Sequence, residues 1–535
     1  MKLLTALLFL FFLANIGYSQ KPGADIDVLH YRFAVDLSDA TDEIRGSATI
    51  TFTVLKPTNS VRFDFVKQDN NKKGMLVSKV LEGQQPIGFS HDQHTLSINF
   101  GQKLEAGTQK KIEIEYSGIP KDGLIITNNK YKHRGFFADH WPDRAKNWLP
   151  CIDHPADKAM LDFVITAPEH FQVVANGVQV EETSLGNGMK LTQYTESTPL
   201  PTKVMVIGVA DFAVQLSDVV NNIPVYAWVY PEDRAKGFHD YGQAAEILPF
   251  FINNVGPYGY KKLANVQSKT RFGGLENASA IFYFEGSVTG TRRSESLLAH
   301  EIAHQWFGNM ATEKEWAHIW LSEGFATYMT VLYMEHAHGK DTARNMLIQD
   351  RQKTIAHARN SARPVVDSGV TSYMELLNTN SYQKGGWVLH MLRSQLGDSA
   401  FWRSIRTYYT RFAGKNASTE DLQKVFEEVS GNNLSAFFRQ WLYTAGQPDL
   451  AVNWKYDAQK KIVAIEIQQQ QNTLFQFPLE IQIAGGPNDG LITKSLPVKD
   501  KQTVLNIPMT DKPARISIDP NIKLLHSAIV TELKN

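Results

Sequence analysis

Cysteine is almost absent from this chain. One cysteine, Cys151, stands among 535 residues, so an internal disulfide is excluded and stability must come from packed cores. With no activating basic partner evident, Cys151 reads as a structural residue rather than a nucleophile. There is no excess of charge of either sign, with 55 Lys and Arg against 55 Asp and Glu. No basic block stands out, so nucleic acid is not expected as a partner. Beyond the N-terminus no long apolar run occurs, which leaves no candidate for a membrane-spanning helix in the rest of the chain. Internal repeats are missing too, and the QQQQ at 468–471 is too short to form a low-complexity tract.

What the N-terminus has is MKLLTALLFLFFLANIGYSQ. A cation at Lys2, an apolar run from Leu3 to Leu13 and small residues at Gly17 and Ser19 make a secretory signal peptide, assigned to residues 1–19. The run falls short of the roughly twenty apolar residues a comfortable span requires, so no stable membrane anchor is expected after cleavage. An exported protein follows, periplasmic or secreted.

The length suggests several domains. Residues 20–205 read as an N-terminal β domain. YRFAVDL (31–37), ATITFTV (48–54) and KIEIEYSG (111–118) alternate apolar and polar side chains, and NG (176–177) and GNG (186–188) look like hairpin turns. Residues 206–446 open with β-like segments such as IPVYAWVYP (223–231) and turn helical at 294–307, 321–338, 383–396 and 418–429. His338-Gly339 suits a helix end, and Ser418 with Asp421 a helix start. Residues 447–535 return to short strands, among them VNWKYD, KIVAIEIQ, FPLEIQIA and ARISIDP, and suggest a small β-sandwich. The fold class is multidomain α+β, with a mainly helical domain between two β domains.

Chemistry concentrates in HEIAHQWFGN, starting at residue 300. Positions i and i+4 share one helix face, so His300 and His304 project together and can grip one ion. Glu301 is offset by about 100° and lies beside that ion. This is the H-E-x-x-H pattern of zinc hydrolases, in which the glutamate is the general base of a metal-activated water. Catalytic zinc takes three protein ligands and keeps one position open. Glu323 opens the helix that begins near Trp320, and a helix–loop–helix return through Gly308 and Asn309 can bring it to the same ion. Both histidines sit in the apolar segment LLAHEIAHQWFG, where unpaired polar groups are costly. Two imidazoles favour zinc over calcium or magnesium.

HEIAHQWFGN followed by WLSEGFATY resembles the gluzincin aminopeptidases, the family of aminopeptidase N and the leukotriene hydrolase/aminopeptidase. Three further segments resemble it: GGLEN (273–277), with Leu275 where a methionine is usual; SYQKGG (381–386), similar to the segment carrying the catalytic tyrosine; and NWLPCIDHPADKA (147–159). ISIDPN (516–521) resembles the end of the family's small β domain. The resemblance implies a thermolysin-like catalytic domain holding one Zn²⁺ per chain on His300, His304 and Glu323. It implies Glu301 as the base and Tyr382 as the hydrogen-bond donor to the oxyanion. Glu276 would bind the substrate's α-amine, with Gly273, Gly274 and Asn277 beside the peptide. Substrates would be peptides with a free N-terminus, shortened from that end.

The sequence also departs from the family. A second amine anchor is usual about ten residues before the Pro-Cys cysteine; Trp141 stands there, with Asp139 two residues earlier. EWAHIW (315–320) has Ala317 and His318 where an Asn-Asp pair is common, so the support behind the metal ligands is expected to differ. The large C-terminal helical domain of longer members has no counterpart in these residues. Rival readings are a thermolysin-like endopeptidase, against which GGLEN argues, a zinc protein without activity, against which Glu301 and Tyr382 argue, and hydrolysis of a small epoxide, which nothing specific supports.

Overall fold

The computed structural model describes residues 25–486 and 489–534, so the leader assigned to residues 1–19 lies outside the described residues. In the first unit the period-two pattern becomes an eight-stranded sheet. Every second residue of much of Ile26–Asp36 and Ile44–Val54 is buried, because successive side chains point to opposite faces. These two strands pair antiparallel, while Ile26–Asp36 runs parallel to Ala159–Pro168. A four-stranded sheet places Gln172–Ala175, Ile207–Ala210, Arg134–Ala138 and Leu124–Asn128 side by side. It meets the next unit through Phe137, edge-on to Phe282 at 6.1 Å.

One expectation shifts here, at Asn176-Gly177. The strand Ile207–Ala210, just past the boundary expected at 205, hydrogen-bonds on both sides within the four-stranded sheet. All four of its residues are buried, and a strand covered on both faces shows no alternation to read. Asn176-Gly177 is not a hairpin turn. It is a buried joint between two sheets, where the Asn176 side chain donates to the carbonyls of Val204 and Ala278 and accepts from the Val206 amide. Gly177 has φ +75° and lies so close to the Thr195 carbonyl that a methyl group would fall 2.0 Å from it. The GNG at 186–188 does join paired antiparallel strands.

The second unit starts with a five-stranded mixed sheet in the order Ala213–Val220, Ile223–Val229, Leu263–Ser268, Ala280–Phe284, Gly274–Leu275. The last is a two-residue edge strand, antiparallel to Ala280–Phe284. Helices follow. Trp320–His338 is buried around its circumference over its first turns, as a central helix must be, and packs between Glu295–His304 and Gly385–Leu396. It ends at Gly339, φ +86°. Ser418 and Asp421 form a reciprocal capping box at the start of Thr419–Ser430. The third unit has a four-stranded and a three-stranded sheet, each with alternating burial, as in Ile462–Gln469 and Phe477–Ala484.

Buried charges fasten the units together. Lys203 of the first unit meets Glu313 of the second at 2.6 Å, the two side chains 1% and 0% exposed. Lys158 donates to the carbonyls of Asn309 and Met310. Arg351 of the helical unit pairs with Asp519 of the third at 2.9 Å. A buried pair is costly to break because the remaining charge has no water. Lys203→Met is therefore expected to destabilise the protein by roughly 3–5 kcal/mol, with most of the loss recovered in Lys203→Met/Glu313→Leu. Urea unfolding of the single and double variants measures this; a single variant as stable as the parent would show that the pair does not hold the two units.

Candidate active site

The helix Glu295–His304 buries Leu298, Ala299, Ile302 and Ala303 and turns its two histidines toward the neighbouring helix. The Nε2 atoms of His300 and His304 lie 3.1 Å apart. Glu323, in the first turn of Trp320–His338, brings Oε2 to 3.4 Å from His300 Nε2 and 3.3 Å from His304 Nε2. Metal–ligand bonds of about 2.0–2.1 Å at tetrahedral angles put ligand atoms about 3.3 Å apart, so the spacing fits one zinc ion.

The protonation pattern agrees. His304 Nδ1 is 3.1 Å from the Phe307 carbonyl and 3.0 Å from the Ser322 hydroxyl. A carbonyl can only accept, so Nδ1 carries a proton and Nε2 is the ring atom that faces Glu323. Burial lowers the His304 pKa, but the Glu323 carboxylate outweighs it and raises the group to about 9, so a metal at Nε2 takes the place of a proton. Glu323 Oε2 is buried without a hydrogen-bond donor. Lone pairs crowded at this distance repel unless a proton or a metal cation lies between them. Burial pushes the Glu323 carboxyl up, but His304 and His300 outweigh it and hold the group well below the usual carboxylate range. Gly308 allows Ser322 its place: at φ +110°, a methyl there would fall 2.1 Å from Ser322 Oγ. Nothing in the sequence pattern singled out Ser322. His318, at the position where other support was expected, turns to Thr419 Oγ1 at 2.9 Å.

Glu301 stands beside this set. Its carboxylate, that of Glu276 and a ring nitrogen of His304 lie within 4.8 Å of one another. Burial raises the Glu301 carboxyl, His304 opposes the shift, and the neighbouring carboxylates Glu276 and Glu323 reinforce it. The edge strand presses on it: a methyl on Gly274 would fall 2.2 Å from Glu301 Oε1, whereas one on Gly273 would meet nothing nearer than Leu297 at 3.9 Å. The second glycine of GGLEN is thus demanded by Glu301, and the first is not demanded by packing.

Tyr382 sits in a π-helical turn, Asn380–Lys384, and its ring stacks on His300 with centroids 6.0 Å apart. Two glycines put it there. A methyl on Gly324 would fall 2.9 Å from Gly385 backbone atoms, and one on Gly385 would fall 3.0 Å from Gly324 Cα. The helix bearing Glu323 and the turn bearing Tyr382 therefore meet backbone to backbone. Lys384 pins the turn through the carbonyls of Thr444 and Gly446, at 3.2 and 2.8 Å. Burial, then the carboxylates of Glu323, Glu276 and Glu301, raise the Tyr382 hydroxyl well above its ordinary value, so it stays protonated and able to donate.

Glu276 closes the edge strand. Trp141 Nε1 donates to its Oε1 at 3.0 Å, and its main-chain carbonyl accepts from Gln305 and Asn309 at 2.9 and 2.6 Å. Those contacts tie the strand to the histidine helix. Two sequence expectations change at this end. Asn277 is 2% exposed and its carbonyl accepts from the Ala280 amide; it does not line the cleft, because the chain turns inward right after Glu276. Asp139 does not reach the cleft as a second anchor either. It is buried, paired with Arg144 and bound to the Arg271 amide, so it fixes the loop leading into Gly273. The remaining members of the expected set line one cleft of about 540 Å³. Another cavity, about 290 Å³, lies between the helices and the third unit, but its carboxylates Asp519 and Glu480 are already paired with Arg351 and Lys523.

The chain is also similar to known proteins. Residues 28–204 match the peptidase M1 N-terminal domain and residues 240–441 the peptidase family M1 domain, the two covering most of the chain. Aminopeptidase M1-C of Oryza sativa subsp. japonica is 28% identical over 69% of this chain and 44% of its own length. Leucyl aminopeptidase of Saccharolobus solfataricus is 25% identical over 86% of this chain and 59% of its own length. The chain thus spans about half the length of the curated relatives it matches. A crystal structure of an M1 zinc metallopeptidase mutant from Deinococcus radiodurans superposes with a TM-score of 0.69 at 24% identity, over 79% of this chain and 96% of that one, a likeness of fold. Groups that orient a metal-bound histidine typically change affinity 10–100-fold when removed. Ser322→Ala is accordingly expected to weaken zinc binding by about tenfold, read by competition with a chelating dye; unchanged affinity would leave the orientation of His304 to the Phe307 carbonyl alone.

Proposed function

Since the chain belongs to peptidase family M1, we propose that it is a zinc-dependent aminopeptidase, binding one Zn²⁺ per chain on His300, His304 and Glu323 and removing N-terminal residues from peptides. The observation that carries the exopeptidase reading is Glu276. Its carboxylate stands at the end of the edge strand Gly274–Leu275, within 4.8 Å of Glu301 and His304. A peptide laid along that strand by β-augmentation has its free ammonium at Glu276 and its first carbonyl at the metal set. Bound zinc supplies Lewis acidity and lowers the pKa of water.

The chain's own groups supply the rest. Glu301 takes the proton from the attacking water and hands it to the departing amine. Tyr382 donates a hydrogen bond where the oxyanion develops. Glu276 holds the ammonium as a charge-assisted pair and fixes which carbonyl lies beside Glu301. The free amine is thus the ruler that sets the cleavage point. We further infer from the leader sequence that the protein works outside the cytoplasm, in the periplasm or beyond the cell.

Glu301→Gln is expected to keep zinc and lose roughly 10²–10⁴ in kcat. Tyr382→Phe is expected to lower kcat by roughly 10²–10³ with little change in KM. The deciding assay is a fluorogenic peptide series, free and N-acetylated, with and without a zinc chelator. Chelator-sensitive cleavage confined to the free-amine series is the expected result. Equal cleavage of both series would make the protein an endopeptidase and strip Glu276 of its role.

A further inference from the structure

The cleft of about 540 Å³ reaches Leu297, Met346 and Lys353. Beside it lies a recess of about 40 Å³, whose lining includes Trp141, Phe272, Leu275, Glu276, Leu377 and Tyr382. Phe272, Gly274, Glu276, Glu323 and Tyr382 border both spaces. With the α-amine at Glu276 and the first carbonyl near Tyr382, the rest of the peptide leaves through the large space and the first side chain enters the recess. This step rests on the aminopeptidase reading.

Trp141 sets the size of that recess. Its ring is 3% exposed and held from several directions. It stands edge-on to Trp316 at 5.5 Å and to Phe272 at 6.5 Å, and Trp316 in turn stacks on Tyr373 at 5.0 Å. The indole N–H donates to Glu276 Oε1. Swinging the ring aside would strand a buried donor and unmake the aromatic contacts. The wall is therefore rigid, and a larger side chain cannot make room by pushing it. At about 40 Å³ the recess is a small fraction of the 540 Å³ cleft beside it.

We propose that Trp141 is a specificity-determining residue which closes the first side-chain pocket, so that the substrates are peptides beginning with glycine, alanine or serine. Leucine, phenylalanine and arginine overfill the recess. The same indole N–H fixes the carboxylate that receives the ammonium, so one side chain both orients the anchor and limits what stands beside it.

The test uses the zinc-loaded full chain and coumarin amides of Gly, Ala, Ser, Leu and Phe. The parent is expected to favour Ala over Leu and Phe by at least about tenfold in kcat/KM, the scale on which side-chain pockets discriminate. Trp141→Ala is expected to raise the Leu-to-Ala ratio by about tenfold or more. Trp141→Phe loses the N–H and part of the indole's bulk; it should relax the preference for Ala less than Trp141→Ala does while raising KM for every substrate. Should Trp141→Ala fail to fold, Leu377→Ala on the same recess replaces it. The ranking is also read without turnover, as thermal shifts of the zinc-loaded Glu301→Gln variant by alaninamide and leucinamide, with alaninamide expected to give the larger shift.

A parent that cleaves Leu or Phe amides as well as Ala, or a Leu-to-Ala ratio unmoved by Trp141→Ala, overturns the proposal while leaving the aminopeptidase reading in place. Cleavage of N-acetylated substrates with the Ala ranking intact would do the reverse. If no substrate is cleaved, the aminopeptidase reading falls, and equal thermal shifts by the two amides overturn the role of Trp141 as well.

Discussion

Three ligand atoms held within 3.1–3.4 Å of one another are the constraint around which this protein is organised. Two imidazole nitrogens and a carboxylate oxygen repel when dehydrated together, so a chain that brings them this close must force them there. The force comes from packing. The apolar faces of Glu295–His304 and Trp320–His338 are sealed in the core, and the helix positions of the three ligands follow from that burial. A cation then converts the repulsion into binding, because burial that penalises lone pairs facing each other favours lone pairs facing a metal.

Glycines extend the same logic outward. Gly324 and Gly385 let the tyrosine turn touch the glutamate helix, Gly308 admits Ser322 behind His304, and Gly274 lets the edge strand rest on Glu301. At each place the missing side chain is what allows a reactive group to stand next to its neighbour. The site is thus built from close backbone approaches, and the bulky residue Trp141 appears where space is to be denied.

The fold class and the metal set were legible because they rest on periodicity. Strands alternate, the helix brings His300 and His304 to one side, and Glu323 falls in the first turn of a strongly apolar helix. What stayed hidden depends on contacts between distant segments. Ser322 carries no motif of its own and meets His304 through a loop. Ile207–Ala210 is covered on both faces, so it looks like neither strand nor helix. Asn176-Gly177 has the composition of a hairpin turn, yet serves as a joint because Val204, Val206 and Ala278 surround it. Asn277 was grouped with its neighbours in GGLEN, although a single residue's turn of the chain separates a cleft wall from the core. Asp139 and Trp141 are two residues apart, and only their packing assigns the indole to Glu276 and the carboxylate to Arg144.

Lys158 carries a consequence for how this architecture can vary. Its ammonium grips the carbonyls of Asn309 and Met310, and the Asn309 side chain in turn holds the main chain of Glu276. The N-terminal unit therefore reaches into the cleft without contributing a reactive atom. A helical unit cut free at Ala213 would keep His300, His304 and Glu323 but lose the hand that steadies Glu276. Recombining such units between relatives should succeed when Lys158 and the loop it grips are inherited together, and yield folded but slack enzymes when they are not.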